Sequence, residues 1–187
     1  SINAGSLSGA TGTAFSLSQG SANVSYAGSI SKTNAGRAVD VQTRAGGTTS
    51  FGGAITATGA STGINVSGST AASTTTFTGA VDLGTSGTRL TGGTALTVNH
   101  NGNGSTTSFS DLDVFTNGQA GINASNGGTL NVTTGSIDAQ TGRALNADSL
   151  ALGATFTGVT SSGSTGEGLR LNAATGALTV GSTTVTN

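Results

Sequence analysis

The stretch Tyr26-Ala-Gly-Ser-Ile-Ser-Lys-Thr-Asn-Ala-Gly-Arg-Ala-Val39 contains the spacing that decides the fold. A large side chain, Tyr26, is followed 13 residues later by Val39, which stands directly after a turn of small residues. The same 13-residue step occurs six times, at 2→15, 26→39, 51→64, 109→122, 132→145 and 156→169. A step that returns this often indicates an internal repeat.

Each repeat is about 24 residues long and holds three short alternating segments. The first segment of each repeat ends at a large residue: Ile2, Tyr26, Phe51, Phe77, Phe109, Val132, Phe156 and Val180. The second begins at another: Phe15, Val39, Ile64, Leu96, Ile122, Leu145 and Leu169. The third carries Ile30, Ile55, Val81, Leu112 or Val114, and Ile137. Apolar and polar residues alternate in these segments, as in Ile64-Asn-Val66, which is the pattern of β-strands.

Three short strands per repeat predict an all-β fold, a right-handed parallel β-helix of about seven coils without helical caps. Stacking is required because one coil cannot bury its apolar residues alone. The right hand follows from the general rule for parallel crossovers. We expect residues 1–187 to form a single β-helix segment. It should be an interior fragment with further coils at both ends, because neither end shows a capping helix.

One repeat is longer than the others. From Phe77, the step to the next landmark is 19 residues if that landmark is Leu96 and 13 residues if it is Leu90. We place it at Leu96, because Leu96-Thr-Val98 alternates and Leu90-Thr-Gly92 does not. A loop insertion is therefore predicted near 84–93, or at 91–104 with the other choice. Loops that leave a regular rod are frequent binding sites.

The composition excludes several classes of function. The chain has 33 Gly, 7% charged residues, a net charge of −1 and no Cys, so hydroxyls and amides must keep it soluble. Its six basic residues are scattered, which argues against nucleic-acid binding. No apolar run reaches the roughly 18 residues of a membrane helix, so we expect no membrane insertion. The absence of Cys excludes disulfides and thiolate metal sites.

Coils such as Ala120-Gly-Ile-Asn-Ala-Ser-Asn-Gly-Gly-Thr-Leu-Asn-Val132 carry a family resemblance. The chain resembles the passenger regions of bacterial autotransporters, two-partner-secretion haemagglutinins and related β-strand-repeat surface proteins. The likeness covers all 187 residues and lies in the general residue usage and the repeat length. It implies a structural or adhesive stalk segment, secreted and displayed on the bacterial cell surface. The implied partners are a host or neighbouring-cell surface, or a glycan. No catalytic residue is transferred by the likeness, and we predict no enzyme.

The third strands carry a cluster of carboxylates with one aromatic residue: Asp82, Asp111, Asp113, Phe115 and Asp138. These side chains face outward if Leu112 and Val114 point inward. The ordinary interpretation is a set of solvated acids. One alternative is a cation site for Ca²⁺, since carboxylates one coil apart raise each other's pKa or recruit a cation. Another is a carbohydrate-binding or polysaccharide-degrading β-helix, because paired carboxylates at this range hydrolyse glycosides. No other cofactor is predicted.

Polar residues outside the cluster receive simpler interpretations. The outward pairs of the middle strand are rich in Ser and Thr: Thr48/Ser50, Thr74/Thr76, Thr106/Ser108, Thr129/Asn131, Gly153/Thr155 and Ala177/Thr179. Such ladders suggest an ice-binding solenoid, although β-branched polar residues are also ordinary on exposed strands. His100 lies in a turn without a partner His or Cys, and we expect it to be solvated. Arg143 and Glu167 share a turn position on adjacent coils, where a surface ion pair is expected.

Overall fold

The chain winds into a column of parallel strands. A computed structural model describes residues 1–3 and 5–186; Ala4 and Asn187, which belong to the predicted segment 1–187, lie outside the described residues. The fold is an all-β, right-handed parallel β-helix of about eight turns, with equivalent strands about 24 residues apart. This confirms the predicted fold class and adds about one turn. The described residues contain no helix, and therefore none that could span a membrane.

Each turn contributes strands to three faces. The first face consists of seven parallel strands: β2 (Phe15–Ser18), β5 (Val39–Gln42), β8 (Ile64–Ser67), β10 (Leu96–Asn99), β12 (Ile122–Ser125), β14 (Leu145–Asp148) and β17 (Leu169–Asn172). The second face consists of β3 (Val24–Tyr26), β6 (Thr48–Phe51), the first parts of β9 (Thr74–Leu83), β11 (Thr106–Asn117) and β13 (Thr129–Gln140), then β15 (Ala151–Phe156) and β18 (Thr175–Val180). The third face consists of β1 (Ser6–Leu7), β4 (Ser29–Lys32), β7 (Ile55–Ala57), the remainders of β9, β11 and β13, then β16 (Gly158–Ser162) and β19 (Thr183–Thr186).

The first face follows the predicted register along its whole length. Its inward column runs without a shift: Phe15, Val39, Ile64, Leu96, Ile122, Leu145 and Leu169. Leu96 pairs with Ile64 on one side and Ile122 on the other, so the choice of Leu96 over Leu90 is confirmed. Leu90 is buried as well, but it bridges Gly59 and Thr116 at a corner.

The second face follows the prediction through its first six levels. The residues that lie one above another in register are Ile2, Tyr26, Phe51, Phe77, Phe109 and Val132. The prediction that Phe156 continues this column is wrong, because Val132 pairs with Ala154, and Phe156 pairs with Val180 two residues further along. The corner before β15 has shortened to residues 149–150, which moves the strand. A slip of two residues keeps every side chain on its own face, so alternation cannot detect it.

The inserted residues leave the column at one corner. Leu83 pairs with Ala57 and Val114, and the chain returns at Leu90, so residues 84–89 form the protruding loop. Within the loop, the backbone N–H of Thr85 donates to the carbonyl of Thr88 at 3.0 Å. Its last residue, Arg89, turns back toward the third face.

Corners after the first face are wide in the early coils and narrow in the late ones. They span residues 43–47, 68–73 and 100–105 in the early coils, and 126–128, 149–150 and 173–174 further on. The wide corners enclose polar side chains that are buried: Arg44, Ser69, Ser73, His100 and Ser105. The core is therefore mostly apolar between the faces, with the buried Thr49, Thr75 and Thr107 on the second face, and polar at this edge.

Candidate functional site

The candidate site lies on the third face, where the strands place carboxylates on neighbouring levels. Asp82 and Asp113 are partners in the register of β9 and β11. Neighbouring strands are about 4.8 Å apart, so the two side chains leave the sheet next to each other. Leu112 and Val114 are buried on either side of Asp113, which confirms the outward direction predicted for it.

The two carboxyl groups have different environments. Desolvation raises the pKa of Asp82 above its ordinary value, and the charges of Asp113 and then Asp111 raise it further. Asp113 instead accepts a 2.5 Å hydrogen bond from the Ser136 hydroxyl on the next level. A carboxyl group with a raised pKa keeps its proton to higher pH, which is the property that a proton donor needs.

Asp111 and Asp138 lie beside this pair in different columns. Asp111 pairs with Ala80 below it, across a register shift that follows Phe109, and with Thr134 above it. Asp138 pairs with Phe115 rather than with Asp113. The register therefore pairs Asp82 with Asp113 and places Asp111 one column to one side of this pair and Asp138 one column to the other side.

Arg89 of the inserted loop occupies the space over Phe115 and Asp138. Its Nη2 donates to Asp138 Oδ2 at 2.6 Å, and Nη1 donates to the carbonyls of Asp138 at 2.9 Å and Thr116 at 3.3 Å. The guanidinium carbon lies 5.7 Å from the centre of the Phe115 ring. Phe115 is thus partly covered by a cation instead of forming an open platform for a sugar ring. The sequence interpretation missed Arg89, whose only signal was its position in the predicted loop.

No set of side chains in the described part of the chain has the arrangement expected of a cation site. Residues 1–3 and 5–186 contain no group of three or more His, Cys, Asp or Glu side chains that could hold a metal ion. Asp138 is already neutralised by Arg89, and Asp113 is hydrogen-bonded by Ser136. The residues that could approach a cation are thereby reduced to Asp82 and Asp111.

The second face carries the hydroxyl ladder. Its outward columns contain the predicted pairs Thr48/Ser50, Thr74/Thr76, Thr106/Ser108 and Thr129/Asn131 on four consecutive levels. The last two pairs were placed wrongly, for the same reason as Phe156: the structure has Ala151/Gly153 and Thr175/Ala177. Three of those four positions lack a hydroxyl, so the array does not continue past the level of Thr129/Asn131.

The first face is a ladder of amides and acids that bond to one another. Asn65 Nδ2 donates to Asp40 Oδ1 at 2.8 Å, and Asn146 Nδ2 donates to Asn123 Oδ1 at 2.8 Å. Arg143 and Glu167 form the predicted ion pair nearby, at 2.5 Å. These polar side chains bond to one another across adjacent coils, and in this way they stabilise the stack of coils.

Buried basic groups at the corners were not predicted. His100 is 1% exposed, so the expectation of a solvated side chain is wrong. Its Nε2 lies 3.0 Å from the Thr107 hydroxyl and its Nδ1 lies 3.2 Å from the Gly127 carbonyl. Lys32 is also 1% exposed, and its ammonium donates to the carbonyls of Ala10, Asn34 and Ala35 at 2.6–2.9 Å.

Comparison with known proteins adds no relative. Neither the protein-family models, nor the curated proteins, nor the solved structures contain a match to this chain. The chain is defined by its fold, a right-handed parallel β-helix with three chemically distinct faces.

Proposed function

We propose that this chain is a stalk segment of a secreted bacterial surface repeat protein, where it projects an adhesive region or contributes to adhesion. The observation that carries the proposal is the unbroken first-face column, which stays in register over seven strands. About eight turns spaced by about 4.8 Å make a rod roughly 38 Å long. As a stalk it is assigned no catalysis. Its partners are further coils of the same protein and a host cell, neighbouring cell or glycan.

The core supports a mechanical role. The rings of Phe51 and Phe77 stack with centroids 4.8 Å apart, and those of Phe77 and Phe109 with centroids 4.5 Å apart. On all three faces, backbone hydrogen bonds between parallel strands join each turn to the next. Bending such a rod opens hydrogen bonds and aromatic contacts on one side, so it resists bending more than a flexible linker does.

Surface display tests this proposal. The chain is placed between an outer-membrane anchor and a terminal epitope, and is compared with a Gly/Ser linker of about 48 residues, whose root-mean-square length of roughly 38 Å matches the rod. We expect the folded chain to keep the epitope accessible to a large antibody through the surface polysaccharide, and to increase attachment to host cells or glycans.

A matched pair of variants separates rigidity from chain length. A Cβ on Gly135 would lie 2.0 Å from the Leu112 carbonyl oxygen, whereas one on Gly87 meets nothing within 4 Å. Gly135→Ala should therefore reduce epitope access, and Gly87→Ala should not. If the flexible linker performs as well as the wild-type chain in both assays, the stalk proposal is wrong.

The Asp82/Asp113 pair favours a second candidate function, the binding or hydrolysis of a polysaccharide. The two carboxyl groups lie on adjacent strands, and the pKa of Asp82 is raised by desolvation and by its acidic neighbours. Retaining glycosidases use two carboxyl groups about 5–5.5 Å apart, one of which carries a proton.

Glycan arrays and hydrolysis assays with purified chain test this candidate. Binding or reducing-end release should be lost in Asp82→Asn and in Asp113→Asn, and kept in Asp148→Asn, whose carboxylate lies on the first face. Activity that survives both of the first two substitutions excludes this pair.

A further inference from the structure

The wide corner at residues 43–47 encloses a cation that lacks an acidic partner. Arg44 is 3% exposed, and its guanidinium donates to the carbonyls of Gln19 and Ala22 in the preceding coil. The ion pairs of the described residues involve Arg37, Arg89, Arg143 and Arg170, and do not include Arg44. A buried charge without compensation is strongly destabilising.

One N–H of this guanidinium is unused. Among the described residues, Arg44 Nε is the single buried side-chain nitrogen or oxygen without a hydrogen-bond partner. The other buried cation of the same coil differs, since all three N–H groups of Lys32 reach carbonyl oxygens. A buried donor that stays unpaired costs about 1–3 kcal/mol, so a native partner is expected for it.

The next coil places buried hydroxyls over this corner. The backbone N–H of Thr70 donates to the Arg44 carbonyl at 2.8 Å, which stacks residues 68–73 on residues 43–47. Ser69 and Ser73 are 2% and 8% exposed, and their hydroxyl oxygens are 3.2 Å apart. Ser105 in the following coil donates to Asn103 Oδ1 at 2.5 Å.

One of the two proton arrangements that these contacts allow leaves a hydroxyl proton available at the Arg44 end. Ser105 uses its proton on Asn103, and its oxygen accepts the backbone N–H of Ser73 at 3.1 Å. The Ser73 hydroxyl oxygen lies 3.2 Å from that of Ser69 and 3.3 Å from that of Ser105, so its proton can go to either oxygen. When Ser73 donates to Ser69, the Ser69 proton is free for a group between Ser69 and Arg44. Both groups at this edge are therefore donors, and one of them belongs to a cation.

We propose that this corner binds one monovalent anion of the halide class, held by Arg44 Nε–H and the Ser69 hydroxyl. A halide accepts both donors and neutralises the guanidinium, as a carboxylate does elsewhere in this chain. The site is internal and independent of the stalk proposal. It makes the stability of the early coils depend on the anion present.

Bromide tests the assignment directly. Crystals of the 187-residue chain grown in sodium bromide should show an anomalous peak within hydrogen-bonding distance of Arg44 Nε. A peak without anomalous signal at that position, as an ordered water gives, overturns the proposal, as does the absence of any peak there.

Thermal unfolding gives a second measurement. At constant ionic strength, replacing a large organic anion by chloride at about ten times its dissociation constant should raise the midpoint by roughly 3–6 °C. Arg44→Gln should remove this rise, and the control Arg143→Gln, which alters an exposed ion pair, should keep it. An equal rise in both variants contradicts the site. If Arg44→Gln does not fold, the bromide experiment on the wild-type chain decides alone.

Discussion

Phe77 sits at the centre of the aromatic column, with a ring nearly parallel to each neighbour. The planes of Phe77 and Phe109 differ by 2°, and those of Phe51 and Phe77 by 7°. Parallel in-register strands force this arrangement, because identical residues on successive levels leave the sheet in the same direction. The register of the strands is thus sufficient to place these rings in contact.

Truncating this ring should be among the most damaging changes in the chain. Phe77→Ala removes a fully buried ring and both stacked contacts, and we expect a loss of about 3–5 kcal/mol in the free energy of unfolding. Urea denaturation followed by circular dichroism measures it. The control is Phe115→Ala, an outward ring on the third face, with an expected loss below about 1 kcal/mol. Equal losses of unfolding free energy in the two variants would show that the aromatic column stabilises the fold no more than an outward ring does.

His100 makes stability depend on pH. Burial lowers its pKa below the ordinary value, and the hydrogen bond with the Gly127 carbonyl offsets part of this effect. The unfolded state, with a histidine pKa of about 6.5, then binds the proton more tightly than the folded state. The stabilising contribution of His100 is complete above the unfolded pKa and is lost as the pH falls toward the folded pKa.

Urea midpoints measured from pH 7.5 down to pH 5 check this dependence. They should fall in the wild-type chain and fall less in His100→Asn, which cannot acquire the charge. Asp82 acts in the opposite sense within its own titration range, because its raised pKa favours proton uptake by the folded state. On acidification through that range, the wild-type chain should keep more stability than Asp82→Asn. Parallel curves for wild-type and His100→Asn would contradict the assignment.

At the scale of the strand, close approach of backbones decides which residues fit. Gly135 lies on β13, near the start of the part of that strand that belongs to the third face. It pairs with Leu112 of β11, whose carbonyl oxygen occupies the space a Cβ would need. Glycine at this point lets two consecutive strands remain in contact through the corner.

Gly135→Ala should lower the free energy of unfolding by roughly 2–4 kcal/mol, since the contact is with backbone and cannot relax by a rotamer change. Gly87→Ala, at the tip of the inserted loop, should change it by less than about 0.5 kcal/mol. Guanidinium titrations of the two variants are a matched comparison. A Gly135→Ala chain as stable as wild type would mean that β11 and β13 lie further apart here.

The strand scale also shows what the sequence could predict. Alternation and the 13-residue step placed every first-face landmark from Phe15 to Leu169 correctly. They failed at Phe156, where a shorter corner slips the strand by two residues and leaves the alternation unchanged. The sequence predicted carboxylates on neighbouring third strands, but it did not predict which of them pair, because the third-strand register was open between Leu112 and Val114. The ion pair of Asp138 with Arg89 was not foreseen, because loop conformation carries no periodic signal. His100 was misjudged since a polar residue in a turn usually faces solvent.

On the scale of the whole molecule, each coil contacts mainly its neighbours, and stability is approximately a sum of coil and interface terms. The middle coils contribute the longest strands, β9, β11 and β13, with 10, 12 and 12 residues. They also contain the aromatic stack and the Arg89–Asp138 bridge, which joins the inserted loop to a strand two levels away. The last level differs: β19 is exposed at all four positions.

This gradient predicts the order of hydrogen exchange. Amides of β11 and β13 should exchange only by global unfolding, whereas those of β19 should exchange by local opening, at least a hundredfold faster at neutral pH. Mass spectrometry of peptides from the two regions measures the difference. Phe77→Ala should accelerate exchange in β9 and β11 and leave the rate in β19 unchanged, because β19 already opens independently of the middle coils. Equal acceleration in all three strands would mean that the column unfolds as one cooperative unit, and the additive description of its coils would then fail.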